Sequence, residues 1–443
     1  MVTSFLLAAA AALLNAQEPR PVEQDGHVRP NIILINTDDM GAADWSGGGS
    51  RFIQTPHLDQ MAAEGVVLTD FYASANVCTP SRAALLTGRY AVRSGLARGV
   101  IYPHSDYGLP QSEITLPSIL REAGYATQIV GKWHLGTVPD AHPLEHGFDE
   151  FFGVPYSNDM SPFPLISQRE VIEEEADQTQ LTARYTEAAI DFIARQAGRE
   201  QPFFIYLAHT FPHIPLYASD AFLGQSQAGR YGDTILEIDW SLGQLRQTLA
   251  DHGVAHSTLI IFTSDNGPWF EGEAGVRGRK GDTHDGAYRV PFVAHLEGLT
   301  PPGAVSRAMA MQIDLMPTLA RLAGAAMPDD RPIDGRDITA LLQGGQESPH
   351  EVLVFFDNDQ IAAIRTQRWR LVLRTFYRNW LVPLEQFGAV HLFDLETHGD
   401  ELFNVAEDYP DVVESLSARL ETLRSELEGL PQRETPLNLP GDE

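Results

Sequence analysis

The chain has 443 residues, of which 43% are hydrophobic, and this length is enough for about two or three domains with a packed core. Asp and Glu total 60 against 31 Lys and Arg, so the formal net charge is −29. Such a charge repels nucleic acid and anionic membrane surfaces, and we expect neither as a partner. An anionic substrate would need a local cationic pocket or a metal ion to overcome the same repulsion.

The amino terminus carries a short apolar run at residues 5–14, followed by Asn15-Ala16-Gln17. A run of this length cannot span a bilayer, which needs about 20 residues. It is typical of a secretory signal peptide, although Lys and Arg are absent before it. We predict a signal peptide at residues 1–16, an exported protein, periplasmic or secreted, and no transmembrane segment.

Apolar runs and helical periodicity alternate from residue 29 onward. Continuous apolar runs predict strands that are buried on both faces, at residues 31–36, 127–130, 203–207 and 259–262. A Pro near the first turn predicts a helix that starts near residue 55. Helical spacing of apolar residues predicts three further helices, at residues 116–123, 179–196 and 235–249. This alternation indicates an α/β fold with a large mixed, mostly parallel sheet flanked by helices.

The carboxyl-terminal part has a different pattern. Residues 344–349 are rich in Gly and polar residues and predict a linker. Short antiparallel strands are predicted at 352–356, 361–366 and 369–374, and an amphipathic helix at 410–430. We therefore predict a catalytic domain at residues 29–345 and a carboxyl-terminal subdomain, a small antiparallel sheet plus a helix, at residues 350–430.

Two pairs of hard oxygen ligands follow predicted strands. Asp38-Asp39 and Asp265-Asn266 each come directly after a buried apolar run. Adjacent acids in a loop are usually a solvated turn, but two pairs at the carboxyl ends of strands indicate a shared site. Carboxylate and amide oxygens suit Ca²⁺ or Mg²⁺ and not zinc.

Cys78 is the single cysteine, so the chain has no internal disulfide. We expect Pro80 and Ser81 to begin a helix, with Cys78 just before it. A helix amino terminus and the nearby Arg82 both favour negative charge at this position. The alternatives are an idle thiol and a small buried hydrophobic residue.

The segment Cys78-Thr79-Pro80-Ser81-Arg82, with Leu86-Thr87-Gly88-Arg89 after it, resembles the signature of the type I (formylglycine-dependent) sulfatases. These are the arylsulfatase-like branch of the alkaline phosphatase superfamily. The resemblance covers roughly residues 29–425. It is supported, in family order, by the segments at 31–41, 131–136, 147–153, 262–267 and 391–395.

This resemblance implies the chemistry of the site. In the family the cysteine is oxidised to formylglycine (3-oxoalanine) by a formylglycine-generating enzyme, and the aldehyde is hydrated. One hydroxyl attacks sulfur and displaces the alcohol, and deprotonation of the other then expels sulfate. The resemblance also implies a metal ion, usually Ca²⁺, whose ligands match Asp38, Asp39, Cys78, Asp265 and Asn266.

Six further residues match family positions. Arg82 matches the arginine that supports the aldehyde hydrate. Lys132 and Lys280 match the cations that hold sulfate oxygens, and His134 matches the base that deprotonates the hydrate. His213 matches a histidine at the leaving-group oxygen, where Lys280 is an alternative proton donor. Ser157 matches a serine that forms a hydrogen bond at the substrate.

Other residues near these motifs have a less specific interpretation. We interpret His209 as a supporting residue of the site or as a structural residue, and Trp133 as a packing residue, while His104 lies where some relatives place pocket residues. The segment after Lys280 departs from the family pattern of an aromatic residue followed by Glu-Gly-Gly. His284 and Asp285 stand there, and we consider both as candidate substrate contacts.

The sequence thus predicts hydrolysis of organic sulfate monoesters, with aryl sulfates as artificial substrates and sulfated carbohydrates as natural ones. One alternative is a phosphonate or phosphate ester hydrolase on the same scaffold. The other is a non-catalytic protein that binds sulfate or glycans.

Overall fold

The computed structural model describes residues 23–24, 27–270, 276–377 and 380–434. The signal peptide predicted at residues 1–16 lies outside these ranges, so it stays a prediction. Among the residues described, no helix is both long and apolar enough to cross a membrane.

The strands are short outside the centre of the fold. In chain order they are β1 (Glu23–Gln24), β2 (His27–Val28), β3 (Asn31–Thr37), β4 (Val66–Leu68), β5 (Phe71–Tyr72), β6 (Ala126–Lys132), β7 (Glu150–Val154), β8 (Leu165–Ser167), β9 (Glu170–Glu173), β10 (Phe203–Ala208), β11 (Thr258–Ser264), β12 (Val293–His295), β13 (Ala304–Ser306), β14 (Ala310–Met311), β15 (Leu353–Asp357), β16 (Gln360–Arg365), β17 (Trp369–Val372), β18 (Arg374–Tyr377), β19 (Trp380–Pro383) and β20 (His391–Asp394).

The helices vary from one turn to six. In chain order they are α1 (Pro56–Glu64), α2 (Cys78–Thr87), α3 (Ala91–Ser94), α4 (Leu116–Glu122), α5 (Leu181–Gln196), α6 (Gly229–Asp251), α7 (Asp285–Tyr288), α8 (Leu315–Ala323), α9 (Thr339–Leu342) and α10 (Pro410–Leu427).

The centre of the fold is a sheet with the strand order β13-β4-β12-β11-β3-β10-β6-β7-β8-β9. The five strands from β11 to β7 run parallel, and antiparallel pairs flank them on both sides. Alternate residues of β3 enter two separate cores: Ile32 packs with α2, α4 and α8, while Ile33 packs with α1, α5 and α6. Both sheet faces are therefore covered by helices, which explains why β3 is apolar at consecutive positions.

The parallel register brings the carboxyl ends of four strands to one edge of the sheet. Thr37 of β3 pairs with Ser264 of β11, and Ala208 of β10 pairs with Gly131 of β6. Loops that carry polar side chains leave the sheet at each of these ends. This edge is where a parallel α/β sheet places its ligand site.

A second, antiparallel sheet follows with the order β15-β16-β17-β20. It shares a buried cluster with α10 and with the central part of the chain, in which Phe355 packs on the rings of Tyr72 and Tyr288. These observations confirm the predicted fold class. The division of the chain near residues 345–350 stays a prediction.

Several boundaries differ from those predicted. Helix α5 begins at Leu181, because residues 178–180 form a 3₁₀ turn that Asp177 caps. Helix α6 begins at Gly229, ahead of the predicted residue 235, since its first turn is polar and carries no apolar periodicity. The outer strands of the central sheet, β4, β8, β9, β12 and β13, and the strand β20 were not predicted, because each is only three or four residues long.

Candidate active site

The site begins at the ends of two adjacent strands. Asp38 and Asp39 follow β3, and Asp265 and Asn266 follow β11, with all four side chains buried. The amide of Asp39 donates to Oδ1 of Asp265 over 3.2 Å, and Asn266 Nδ2 donates to Oδ1 of Asp39 over 2.7 Å. Asp39 has a φ of 67°, a left-handed conformation that turns its carboxylate back toward this edge of the sheet.

Cys78 is the first residue of α2, rather than the residue before the helix as the sequence predicted. The extended residue Val77 occupies the N-cap, so the helix amino terminus points at the Cys78 side chain. Its Sγ lies 3.4 Å from Oδ1 of Asp38, 3.2 Å from Nζ of Lys280 and 3.5 Å from Nζ of Lys132. A group at this position is therefore surrounded by cations and by a carboxylate.

Three cations balance the buried carboxylates. Arg82, one turn along α2, donates from Nε to Oδ2 of Asp265 over 2.9 Å and from Nη1 to the carbonyl of Lys132 over 2.9 Å. Lys132 forms an ion pair with Asp38, and Lys280 lies 2.8 Å from Oδ1 of Asp39. Each carboxylate of the pair at 38–39 thus faces its own lysine.

The two histidines of the site differ in their hydrogen bonds. His134 places Nε2 3.0 Å from the carbonyl of Ile101, while its buried Nδ1 has no hydrogen-bond partner. A carbonyl only accepts, so Nε2 carries the proton and Nδ1 is the basic nitrogen. His213 places Nδ1 3.0 Å from Oδ1 of Asn158, which accepts, so the ring presents Nε2 as an acceptor 3.2 Å from the hydroxyl of Ser157. The oxygen of that hydroxyl accepts from Lys132 over 3.0 Å.

The charges of the site shift the pKa values of its carboxylates in opposite directions. Burial alone would raise the pKa of Asp38, but Lys132, His213 and Arg82 more than offset it and hold the pKa well below its usual range. Burial and the charge of Asp38 raise the pKa of Asp265 to about 7, although Arg82 opposes the shift. Carboxylates that repel one another in a dry pocket are stabilised by a bound cation.

The remaining groups of the site also shift. Burial raises the pKa of the Cys78 thiol, and the charge of Asp38 adds to the effect. Burial lowers the pKa of His134 well below its usual range, and the charges of Lys132 and Arg82 reinforce this. Burial likewise lowers the pKa of His213. The thiol is therefore a poor nucleophile as it stands, because only the thiolate reacts.

The donor set fits a hard divalent cation. Ligand atoms of Asp38, Asp39, Cys78 and His213 lie within 4.8 Å of one another. Asn266 contributes a buried Oδ1 that has no hydrogen-bond partner, and an orphaned oxygen of this kind is the ligand that Ca²⁺ or Mg²⁺ takes. Asp265, predicted as a ligand, directs Oδ2 at Arg82 and Oδ1 at the amide of Asp39.

A cleft of about 1040 Å³ opens above Cys78. Its floor includes His134, Ser157, His213 and Lys280, and its walls include the aromatic residues Tyr102, His104 and Trp269. The rings of Tyr102 and His104 stack at 5.7 Å, and Trp269 is 41% exposed and lies over Nζ of Lys280 at 5.9 Å. Trp269 and Asn158 were not predicted from the sequence, although Trp269 follows Asn266 by three residues and Asn158 follows Ser157 directly.

Three other named residues lie away from the cleft lining. His209 is buried with both ring nitrogens unpartnered, and burial lowers its pKa to about 3, as suits a structural residue. His284 binds Asp282, and Asp285 is buried and accepts from the hydroxyl of Tyr72 over 2.9 Å. The Asp285 carboxylate also contacts Arg289, and the His284 ring lies 6.4 Å from the ring of Phe393 in the carboxyl-terminal sheet. Neither residue is among those that line the cleft, and their role as substrate contacts stays a prediction.

Comparison with known protein families identifies the family of the chain. The family model described as sulfatase matches residues 30–325, about the whole central sheet. The chain belongs to the sulfatase family. A second model, described as N-sulphoglucosamine sulphohydrolase, C-terminal, matches residues 278–426 of this sulfatase.

Curated relatives agree with this assignment. The sulfatase is 39% identical to an N-acetylgalactosamine-6-sulfatase of Canis lupus familiaris, over 85% of this chain and 76% of that protein. It is 36% identical to arylsulfatase A of Bos taurus, over 90% of this chain and 88% of that protein. The chain is therefore an enzyme that hydrolyses sulfate esters.

A solved structure shows the same fold. The structure of Ps i-CgsB in complex with k-i-k-neocarrahexaose superposes on this sulfatase with a TM-score of 0.81 and 28% identity, and covers 92% of this chain and 95% of that one. The large mixed sheet and the small antiparallel sheet are thus the architecture of the family.

Proposed function

We propose that this sulfatase removes sulfate from sulfated carbohydrates, with Cys78 as the precursor of a formylglycine nucleophile and with Ca²⁺, or alternatively Mg²⁺, in the site. The observation that carries the proposal is the position of Cys78. It lies at a helix amino terminus, beneath an open cleft, with the ammonium groups of Lys132 and Lys280 at 3.5 and 3.2 Å from Sγ. Such a position favours a nucleophile that attacks an anionic ester.

The metal would be held by Asp38, Asp39, Asn266 and residue 78, with Asp265 as a further ligand or as the counter-ion of Arg82. When bound, the ion supplies positive charge that polarises sulfate oxygens and stabilises charge on the nucleophile. The unpartnered Oδ1 of Asn266 and the mutual repulsion of the carboxylates support this assignment.

Formylglycine at position 78 would supply a hydrated aldehyde, in which one hydroxyl attacks sulfur and the second allows sulfate to leave by elimination. The conversion requires a formylglycine-generating enzyme as a maturation partner.

The cations of the chain would hold the sulfate and the nucleophile. Arg82, fixed between Asp265 and the carbonyl of Lys132, would support the hydrate. Lys132 and Lys280 converge on residue 78 from two sides and would bind sulfate oxygens. Charge on these oxygens grows toward the transition state, where one fixed donor is worth about 3–4 kcal/mol.

His134 and His213 would act at the two oxygens where protons are lost or gained. His134 lines the cleft, and its unpartnered Nδ1 would act as a neutral base that takes the proton from the second hydroxyl. His213, whose Nδ1 is held by Asn158, would place Nε2 at the leaving-group oxygen, and Ser157 would form a hydrogen bond with substrate. Lys280 would be the proton donor to the leaving group.

A carbohydrate leaving group fits the walls of the cleft. Tyr102, His104 and Trp269 present ring faces and polar edges to a space large enough for a sugar unit. The names of two relatives, N-acetylgalactosamine-6-sulfatase and the carrahexaose-bound protein, support the same substrate class. Export of the chain, as the predicted leader implies, would place it where such polysaccharides occur.

A rate comparison tests the proposal. Matched aryl sulfate and aryl phosphate esters, and a sulfated galactoside, are given to the matured enzyme and to Cys78→Ala. We expect higher kcat/KM on sulfate than on phosphate, and no turnover by Cys78→Ala. Faster phosphate turnover would favour a phosphoester hydrolase, and binding of the galactoside without hydrolysis would favour the non-catalytic alternative.

A further inference from the structure

The segment at residues 276–284, which carries Lys280, is attached to the carboxyl-terminal part of the chain. Thr283 donates from Oγ1 to the carbonyl of Arg374 over 2.6 Å. Arg277 donates to the carbonyl of Glu401 over 3.0 Å. Two residues from β18 and from the loop after β20 thus hold a segment whose lysine reaches Cys78.

Glu401 is the centre of this attachment. Its side chain is fully buried, and its φ of 56° places a non-glycine residue in the left-handed region. One oxygen forms an ion pair with Arg370, and the other accepts from the amide of Asp285 over 2.8 Å. A strained backbone that buries a carboxylate persists only where the surrounding contacts hold it.

Arg370, from β17, completes the connection. It is fully buried, packs over the ring of Phe355 at 4.9 Å, and donates from Nη2 to the carbonyl of Thr283 over 2.8 Å. Arg370 and Glu401 therefore bind the backbone three and five residues after Lys280. Arg370 binds the carbonyl of Thr283, and Glu401 binds the amide of Asp285.

The opposite side of the segment is tied to the nucleophile loop. Gly281 donates its amide to the carbonyl of Asn76 over 2.9 Å, and Asn76 Nδ2 donates to the carbonyl of Asp282 over 2.9 Å. Asn76 lies two residues before Cys78. The segment is thus fixed between the nucleophile and the carboxyl-terminal sheet.

We propose that Glu401 and Arg370 are positioning residues for Lys280, so that the carboxyl-terminal sheet sets the reach of a catalytic cation. The proposal rests on the proposed role of Lys280 at the sulfate. Nζ of Lys280 lies 2.8 Å from Oδ1 of Asp39 and 3.2 Å from Sγ of Cys78, and the flexible side chain keeps this position only while its backbone stays within reach. A displacement of about 1 Å in a catalytic group can cost about 100-fold in rate.

Two variants test this. Glu401→Gln removes the charge that pairs with Arg370, and Arg277→Ala removes the bond to the Glu401 carbonyl from a less buried side chain. We expect kcat/KM on an aryl sulfate to fall by about 10- to 100-fold for Glu401→Gln, the usual loss when a supporting partner is removed. A smaller fall is expected for Arg277→Ala, with an unchanged melting temperature.

Arg365→Lys is the matched control. Arg365 is also buried and joins the carboxyl-terminal sheet to the central part, through Asp70 at 2.6 Å and the ring of Tyr72 at 4.9 Å. We expect it to lower the melting temperature without a comparable fall in kcat. An equal fall in kcat for the control would show that any weakening of this contact reduces activity, and would overturn the proposal.

A double-mutant cycle separates positioning from general damage. If Glu401 acts through Lys280, then adding Glu401→Gln to Lys280→Ala should lower kcat/KM by no more than about twofold. Losses that multiply would overturn the proposal. Full activity of Lys280→Ala itself would instead refute the catalytic role of Lys280, and full activity of both Glu401→Gln and Arg277→Ala would refute the positioning role alone.

Discussion

At the scale of single residues, each of the three buried carboxylates of the site is paired with a cation, but one amide oxygen has no hydrogen-bond partner. Asp38 faces Lys132, Asp39 faces Lys280 and Asp265 faces Arg82. Oδ1 of Asn266 lies among them without a partner. An unpartnered acceptor in a buried, fully paired cluster costs free energy unless a ligand completes it.

Removal of that oxygen should weaken the metal site directly. We expect Asn266→Ala to weaken Ca²⁺ affinity by at least about tenfold, because even outer partners of a metal cost that much. Titration calorimetry on protein stripped with a chelator measures the affinity, and activity should fall in parallel. Asn404→Ala is the control, since Asn404 accepts a backbone hydrogen bond from Leu392 in the carboxyl-terminal sheet. Unchanged affinity in Asn266→Ala would contradict the assignment.

At the scale of elements, the strands that end at the site approach one another more closely than side chains allow. Gly131 of β6 has a φ of 107°, and a Cβ at this position would lie 1.9 Å from the carbonyl oxygen of Ala208 in β10. Gly153 of β7 approaches the Gly131 carbonyl in the same way. The glycines let three strands pack so that Lys132, the next residue, points at Cys78.

Gly131→Ala should therefore destabilise the fold and displace Lys132. A left-handed conformation costs a non-glycine residue about 1–3 kcal/mol, and the contact with the Ala208 carbonyl adds to this. We expect a lower midpoint in chemical denaturation and a larger relative loss of kcat. Gly198→Ala, at a position with nothing within 4 Å of a new Cβ, should change neither. A Gly131→Ala protein as stable as the parent would contradict this account.

The sequence predicted the elements whose pattern is local. Strands β3, β6, β10 and β11 were found because each is continuously apolar, and the ligand pairs were found because they follow such strands. The start of α6 was missed because its first turn is polar, and the short outer strands were missed because three or four residues carry too little pattern. Chemical roles at the site came from the family resemblance and not from periodicity.

Long-range pairing also hid parts of the site. Glu401 contacts Arg370 and Asp285 across more than thirty residues, and no local pattern signals such a contact. The partners of His284 and Asp285 were hidden for the same reason, because their position after Lys280 does not show which way they face. Cys78 was predicted to lie just before α2, because Pro is typical of the first helical position. In the structure Pro80 is the third residue of the helix, and Cys78 is the first.

At the scale of the whole molecule, the chain has a net charge of −29 but also contains a cationic pocket and several buried histidines. Burial lowers the pKa of His209 to about 3 and that of His146 to about 4. Both are neutral in the folded chain, while the unfolded chain protonates them below a pH of about 6.5. The unfolded state therefore binds more protons, so stability is full above that pH and falls as the pH drops toward these folded values.

This linkage predicts acid sensitivity. Each buried histidine should cost up to about 1.4 kcal/mol of unfolding free energy for every pH unit below about 6.5. His209→Leu, which cannot be protonated, should lose less stability than the parent between pH 7.5 and about pH 5. Urea denaturation at the two pH values measures the difference. Equal losses in parent and variant would show that His209 is not linked to folding.

The central claim is that Cys78 becomes the nucleophile of a sulfatase. It is tested most directly by the mass of the peptide that contains residue 78, taken from protein made together with a formylglycine-generating enzyme. We predict a mass in which the thiol sulfur has been replaced by an aldehyde oxygen, in protein that hydrolyses aryl sulfates. An unmodified cysteine, under conditions that mature a control sulfatase, would contradict the account.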